Sequence, residues 1–200
     1  MPAKKGLTKS EQRETTIQSL TTIARDVFAQ MGYAQASIDE IVQRAGVTKG
    51  ALYHHFDNKE GLFRAVLADV QRDVTARIEA ASVQEADAWQ QLIAGCRAFL
   101  AASLDPQVQQ IMLIDAPAVL GWQTWRQIDT ENSMKSLRWQ LGEMVQAGII
   151  QPPSVEALTH LLSGAMNEAA LWIVRAPQPE QALEDAMATL EGLMSALRNP

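Results

Sequence analysis

The sequence predicts an all-α protein, and two observations lead to that prediction. Apolar residues recur at spacings of three and four along most of the 200-residue chain, the period of an amphipathic helix, and no segment sustains the alternation of a strand. Proline and glycine interrupt this pattern at short intervals, as at residues 105–106, 116–117 and 152–153, which indicates breaks between helices. A hydrophobic content of 47% is enough for a globular core.

The first helix is predicted to begin at a capping box. Thr8 and Glu11 stand three residues apart, so the Thr hydroxyl can accept a hydrogen bond from the first turn while the Glu side chain reaches back to the cap. An apolar face then continues to Phe28 and Met31. Gly32 is predicted to end the helix, because glycine takes the left-handed conformation of a helix C-cap without steric cost.

Two short helices are predicted around Gly46. Ser37 and Glu40 have the spacing of a second capping box, so a helix should begin at the residue after Ser37 and end at Gly46. Thr48 is a natural N-cap for a third helix, which should run to about His55. This layout is typical of a helix-turn-helix unit, whose second helix lies in the major groove of DNA.

The third helix is predicted to turn an unusual face to solvent. If Ala51 and Leu52 face inward, the outward residues are Lys49, Gly50, Tyr53 and His54. Lysine, tyrosine and histidine can donate to phosphates or base edges, and glycine lets the helix backbone approach closely. The alternative is a solvated helical hairpin inside an ordinary all-α domain.

A long fourth helix of about 20 residues, capped by Asp57 or Asn58, is predicted to connect this unit to the rest of the chain. Six further helices are predicted near residues 86–103, 106–114, 117–120, 122–147, 154–175 and 179–198. The apolar stripes of the last two would form a four-helix bundle with a symmetry mate, or else cover the core of their own subunit.

The segment from about residue 16 to residue 67 resembles the DNA-binding domain of the tetracycline-repressor (TetR) family. The residues that carry the resemblance are Ala24, Phe28, Gly32, Ile41, Ala45, Gly46, Val47, Leu52, Tyr53, Phe56, Lys59 and Leu62. The resemblance implies a homodimeric, ligand-responsive transcription factor with an all-helical C-terminal domain. The DNA-contacting residues that it implies here are Ser37, Thr48, Lys49, Gly50, Tyr53, His54, His55 and Lys59. An inward-packed His55 is the alternative at that position, and Lys59 is expected to clamp a phosphate.

The expected organisation has three parts: a basic arm over residues 1–13, a helix-turn-helix domain over 14–60, and an effector-binding and dimerisation domain over 61–200. The arm carries Lys4, Lys5, Lys9 and Arg13 against Glu11, and it would either follow DNA phosphates or form a solvated tail. The chain has a net charge of -6, but residues 1–60 hold eight Lys and Arg against seven Asp and Glu. The positive surface is therefore local, and operator affinity should fall steeply with salt.

All five tryptophans lie in the C-terminal part, where an apolar pocket with a few polar anchors is predicted to bind a small apolar or amphipathic effector. The expected lining residues are Phe99, Met112, Asp115, Trp122, Trp125, Met166 and Asn167. For each of them the alternative is ordinary core packing. The predicted break near residues 113–122 is where such a cavity would open.

Other classes of protein fit less well. The single cysteine, Cys96, excludes an internal disulfide framework and is expected to be a buried thiol. No apolar run approaches the roughly 20 residues of a membrane helix, and the polar start does not resemble a signal peptide, so a cytoplasmic protein without membrane contact is expected.

An all-α enzyme is one alternative, but the sequence has no glycine-rich phosphate loop, metal-ligand cluster or nucleophile elbow, and no cofactor is expected. A module that binds a partner protein on the same scaffold is another. Lys49, Tyr53 and Lys59 argue against it, because a module that does not bind DNA would have no use for a phosphate-binding face. The sequence therefore favours a transcriptional repressor that an effector releases from a palindromic operator.

Overall fold

A computed structural model describes residues 8–198, without the side chain of Asn132, and confirms the all-α class. The α-helices are α1 (Lys9–Gln35), α2 (Ile38–Ala45), α3 (Lys49–His55), α4 (Lys59–Ser82), α5 (Ala88–Ala102), α6 (Pro106–Val108), α7 (Ala116–Leu120), α8 (Trp122–Asp129), α9 (Lys135–Gln146), α10 (Val155–Ile173) and α11 (Pro179–Ser195). We call α1 to α3 the head and α4 to α11 the body. Within residues 8–198, no helix has the length and apolar character that crossing a membrane requires.

Two helix starts follow the predicted caps closely. The Thr8 amide donates to Glu11 Oε2 at 2.6 Å and the Glu11 amide donates to Thr8 Oγ1 at 3.2 Å, which completes the predicted capping box of α1. Asn58 Oδ1 accepts from the Gly61 amide at 2.8 Å and caps α4. Each side chain satisfies an amide that the helix itself leaves without a partner.

The second predicted capping box is wrong in one respect. The Ser37 hydroxyl does cap α2, but it accepts from the Asp39 amide at 3.1 Å. Glu40 does not reach back to the cap. Its Oε1 lies 3.7 Å from Arg44 Nη1 one turn further on, because an ion pair along the helix competes for the same carboxylate.

The start of α1 changes the predicted arm. Lys9 and Arg13 lie in the first turns of α1, so the expectation of an arm as far as residue 13 is corrected: the chain is helical from residue 9. Lys4 and Lys5 lie outside the described residues. The domain boundary after residue 60 stays a prediction.

Gly46 ends α2 as predicted, but Gly32 lies inside α1 and does not end it, and the two glycines have different conformations. Gly46 has φ 66° and ψ 27°, the left-handed helical conformation, and its amide donates to carbonyls of α2. Gly32 has φ 72° and ψ 159°, a conformation that is essentially restricted to glycine. It breaks the regular path of α1, and one further turn carries the helix to Gln35.

Two π-helical segments, Gln109–Asp115 and Thr130–Met134, were not predicted. The first lies between α6 and α7, so the predicted break at residues 116–117 is wrong: Pro117 falls in the first turn of α7, where its missing amide is tolerated. The second divides the single helix predicted over residues 122–147. Short π-helical segments are rare and are frequent at functional sites.

Among residues 8–198, the core consists of two hydrophobic clusters. The first joins the head to the body, since side chains of α1, α2 and α3 pack with those of α4 and of the first π-helical segment; its fully buried members include Phe28, Ile41, Leu52, Phe63 and Ile111. The second fills the body between α5, α9, α10 and α11, and it contains Cys96. The shared first cluster ties the position of the head to the body.

The helices α10 and α11 each have two apolar faces. Leu162 and Ile173 of α10 pack into the core of their own subunit. Part of each predicted apolar stripe therefore covers the subunit's own core, which was the alternative to a dimer interface. On the other side, Leu161 of α10 is 71% exposed and Leu193 of α11 is 69% exposed. A groove of about 280 Å³ lies between the two helices, with Trp172 on its wall.

Candidate nucleic-acid interface

The short helix α3 is held by its caps and by one buried side chain. Thr48 Oγ1 accepts from the Ala51 amide at 3.1 Å, and Leu52 is fully buried in the first cluster. The residues on the opposite side are all exposed, as the helical spacing predicts: Lys49, Gly50, Tyr53 and His54. The N-caps Ser37 and Thr48 are exposed as well. This short helix thus offers a lysine, a phenol and an imidazole on one solvent-facing surface.

An ion pair that the sequence did not reveal joins α2 to this surface. Lys49 Nζ lies 2.7 Å from Asp39 Oδ1, and both side chains are exposed. The hydrogen bond to Asp39 raises the pKa of Lys49 above its usual value. The two residues lie on different helices, so no helical spacing could have indicated the pair. Asp39 fixes one position of the Lys49 ammonium before any ligand arrives.

His55 is half-buried, which favours the inward alternative at this position, and its contact with DNA stays a prediction. One residue further along α3 than His54, it lies about 100° around the helix and is half-buried, with its ring 5.2 Å from that of His54. Its Nδ1 is buried and has no hydrogen-bond partner among residues 8–198. Burial lowers the pKa of His55, and the nearby charges of His54 and Arg13 lower it further. These effects favour the neutral form of the ring.

Lys59 is engaged within the protein, and its expected contact with a phosphate stays a prediction. Its Nζ donates to the Tyr33 carbonyl oxygen at 2.5 Å and lies 4.4 Å from the centre of the Tyr33 ring. Burial lowers the pKa of Lys59, while the charge of Asp115 acts in the opposite direction. The ammonium of the first residue of α4 thus points at the end of α1.

The residues predicted to line an effector pocket are not brought together around one cavity. Met112 and Trp125 belong to the first cluster, Met166 belongs to the second, and Phe99 packs against both. Trp122 is exposed, with its ring 5.0 Å from that of Trp125. Sequence periodicity identified these side chains as apolar, but it could not place them relative to one another across the two π-helical segments.

The two predicted polar anchors lie at different sites. Asp115 Oδ2 accepts from the Tyr33 amide of the head at 2.8 Å, so the expectation that it lines a pocket is corrected. Asn167 of α10 donates from Nδ2 to Asp129 Oδ2 at 3.4 Å inside the body. Asp115 ends the first π-helical segment and Asp129 directly precedes the second, and both carboxylates are buried.

Asp129 is the centre of a buried polar group that sequence reasoning missed. Arg126 Nη1 donates to it at 2.6 Å, and the Ser163 hydroxyl lies 3.4 Å away. Burial raises the pKa of Asp129, and the charge of Arg126 with the hydrogen bonds around it partly offsets this effect. The spacing of Arg126 and Asp129 was visible in the sequence, but the contact with α10 was not.

Two known protein families match separate parts of the chain. The family described as bacterial regulatory proteins, tetR family, matches residues 20–66, and the tetracyclin repressor-like C-terminal domain matches residues 89–197. A crystal structure of a TetR-family transcriptional regulator from Pectobacterium atrosepticum has a TM-score of 0.81 and 33% identity to the chain. That match covers 97% of this chain and 99% of the other.

Two curated relatives agree with these matches. The Transposon Tn10 TetC protein of Escherichia coli is 28% identical over 163 residues, which is 82% of each protein. The HTH-type transcriptional regulator SrpR of Pseudomonas putida is 42% identical over 60 residues, 30% of this chain and 28% of SrpR. SrpR thus has the higher sequence identity of the two, but over the shorter range.

The matches decide between the classes of protein that the sequence left open. One family domain covers most of the head and part of α4, and the other covers more than half of the chain. Proteins of this family bind DNA operators and dimerise, and they are regulators rather than enzymes. The chain belongs to the TetR family and is a DNA-binding transcriptional regulator.

Proposed function

We propose that this regulator is a homodimeric, cytoplasmic repressor that binds a palindromic operator through α3 and is released when a small apolar or amphipathic effector binds the body. The observation that carries the proposal is the exposed face of α3. It presents Lys49, Tyr53 and His54 outward while Leu52 anchors the helix in the core.

The chemistry of this face supports reading of the major groove. Lysine and histidine can donate to guanine or phosphate oxygens, and the Tyr53 ring can pack on a thymine methyl group while its hydroxyl donates to phosphate. Space beside Gly50 is open, since a Cβ there would meet only Thr48 Oγ1, at 3.8 Å. The helix backbone can therefore approach the bases at this point.

A twofold dimer would supply two copies of α3. Helix-turn-helix dimers bind half-sites about one DNA turn apart, roughly 34 Å, and the twofold axis of such a dimer requires a palindromic operator. The exposed apolar face with Leu161, Trp172 and Leu193 supports pairing of α10 and α11 with a second copy, because a twofold interface buries the same patch on both subunits.

Effector binding is proposed for the body, near the buried polar group around Asp129. Ser163 and Asn167 of α10 contact Asp129 at 3.4 Å, longer than a strong hydrogen bond, so a ligand that offers its own polar group can compete for them. Such a ligand would favour a state in which the two heads are spaced wrongly for successive grooves.

The proposal is tested with the purified protein and duplex fragments from the region upstream of its own gene. We expect one fragment to bind with an affinity that falls steeply with salt, by about 0.9 in log K per log unit of salt for each phosphate contacted. Tyr53→Ala should weaken binding, whereas Trp139→Ala should not, although Trp139 is an aromatic residue with an exposure of 69% on α9. Failure to bind any upstream fragment at low salt would refute the DNA-binding role of α3.

The effector part is tested separately on the same complex. A panel of amphipathic aromatic compounds is screened for release of the bound fragment, and any active compound is then tested on Asn167→Ala. We expect the substitution to raise the concentration needed for release while leaving operator affinity unchanged. Equal concentrations for both proteins would place the effector away from the polar group.

A further inference from the structure

One residue of the head, Tyr33, is held by two separate parts of the body. Its backbone amide donates to Asp115 Oδ2 at 2.8 Å, a contact between residues 82 positions apart. Its carbonyl oxygen accepts from Lys59 Nζ at 2.5 Å. The amide and the carbonyl of a single residue at the end of α1 are thus both bonded to charged body side chains, and Asp115 is only 9% exposed.

The backbone next to Tyr33 also lies directly against the first π-helical segment. A Cβ on Gly32 would come within 3.2 Å of Gln110 Nε2 and within 3.8 Å of Asp115 Oδ1. Gly32 is therefore needed both for its positive φ and for the close approach of Gln109–Asp115. Ser37, the N-cap of α2, follows shortly after Tyr33 along the chain, so a displacement at this contact reaches the helix-turn-helix over a very short path.

A second contact attaches the same stretch of body to α1. Gln107 of α6 accepts on Oε1 from Arg25 Nε at 2.8 Å and donates from Nε2 to Asp26 Oδ1 at 3.2 Å. Arg25 also pairs with Asp69 of α4 at 3.0 Å. The two attachments join residue 25 of α1 to residue 107 of the body and residue 33 to residue 115. Their separation along the sequence is therefore the same on both segments. The stretch 107–115 therefore lies along α1, fixed at both ends.

We propose that Asp115 is a positioning residue of this regulator: by accepting the Tyr33 amide, it fixes the head against Gln109–Asp115 and transmits any rearrangement of that segment to α2 and α3. A π-helical segment has an alternative state nearby. If its i to i+5 hydrogen bonds change to the α-helical i to i+4 pattern, the register shifts by one residue and side chains turn by about 100°. That turn would take the Asp115 carboxylate off the Tyr33 amide, so the proposal gives this contact two discrete states.

The free protein tests the first half of the proposal, and it needs no DNA. Hydrogen exchange is measured on the full chain for wild type, Asp115→Ala, Asp115→Asn and Glu184→Ala. Loss of a hydrogen bond to a charged group should speed exchange of the Tyr33 amide roughly tenfold to hundredfold in Asp115→Ala. Asp115→Asn keeps an oxygen acceptor and should restore most of the protection. Glu184→Ala removes a carboxylate that pairs with Arg97 within the body, and it should leave Tyr33 unchanged.

Two results would overturn the first half of the proposal. One is a Tyr33 amide that exchanges in Asp115→Ala at the wild-type rate, and the other is an equal acceleration of its exchange in Asp115→Asn and Asp115→Ala.

The second half of the proposal rests on the proposed function. Its test uses wild-type protein alone, so it does not depend on a variant folding. Coupling between two sites is reciprocal, and an operator fragment bound by the head should therefore slow exchange of residues 109–115 several-fold.

Protection of the head by DNA with unchanged exchange in residues 109–115 would overturn the transmission role. If no fragment binds, the proposed function fails, while exchange at Tyr33 in the DNA-free protein still decides whether Asp115 fixes the head. The two failures are therefore distinguishable.

Discussion

Gly32→Ala tests the close packing of the head on the body more directly than any other single substitution. The φ and ψ values of 72° and 159° lie in a region that other residues occupy only under strain, at a cost of about 1–3 kcal/mol. The new Cβ would also lie 3.2 Å from Gln110 Nε2, so the end of that side chain must move by a few tenths of an ångström. Together these effects predict a loss of about 2–3 kcal/mol in the free energy of unfolding.

A matched substitution controls for a change of glycine to alanine as such. Gly142 lies inside α9, and a Cβ at this position would meet no packed neighbour within 4 Å among the described residues. Gly142→Ala should therefore stabilise the protein by about 0.5–1 kcal/mol through helix propensity. For a chain of this size, the loss in Gly32→Ala corresponds to a decrease in Tm of roughly 4–12 °C. Thermal unfolding followed by circular dichroism at one fixed protein concentration measures both changes. An unchanged Tm in Gly32→Ala, or a similar decrease in both variants, would refute the reasoning.

Three further predictions concern the core, the dimer and pH. Burial raises the pKa of Cys96 to about 12, so iodoacetamide should label it only after unfolding in urea; labelling of the folded protein would contradict its buried position. Leu193→Glu places a charge on the exposed apolar face of α11, so sedimentation should detect a helical monomer, and a persistent dimer would exclude this face as the interface. Burial lowers the pKa of His55 in the folded protein, so the unfolded chain binds a proton at this residue more readily. The contribution of His55 to the free energy of unfolding is therefore fully present above the unfolded pKa of about 6.5, and it is lost as the pH falls through the pKa of the folded protein. His55→Gln should therefore reduce the fall in Tm between about pH 7 and pH 5.5, and an equal fall in both proteins would contradict this.

The local features of the head could be predicted because each depends on a few neighbouring residues. The hydroxyl of Thr48 caps the helix that follows it, and Gly46 ends the helix before it, so a short window of sequence indicates both. The inward turn of Leu52 and the outward turn of Tyr53 follow from helical spacing alone. These features are enough to predict the exposed face of α3.

The long-range partners of charged side chains could not be predicted in the same way. Lys59 was expected to reach outward to phosphate, but its ammonium finds the carbonyl of a residue 26 positions earlier. Asp115 was expected to line a pocket, but it accepts from a backbone amide 82 positions earlier. Both contacts are made with Tyr33. Its backbone amide and carbonyl, rather than its side chain, are the partners, so the residue type at this position could not indicate them.

The two π-helical segments explain why the pocket prediction did not converge. Each adds one residue to a turn, so the side chains that follow it in the same continuous helix are rotated by about 100° relative to an ideal helix drawn from the sequence. Met112 lies within the first segment, and Asn167 contacts Asp129 at the start of the second. Periodicity could not place these side chains on the wall of a common pocket.

The most direct test of the central claim is a hydroxyl-radical footprint of the full-length protein on a duplex selected from a random-sequence pool. If the exposed face of α3 binds DNA and is present twice in each dimer, the wild-type protein should protect two half-sites about one helical turn apart. Lys49→Ala with Tyr53→Ala should remove that protection, since each base contact contributes about 1–3 kcal/mol of discrimination. A footprint that persists unchanged in the double variant, or protection of a single site, would contradict the account.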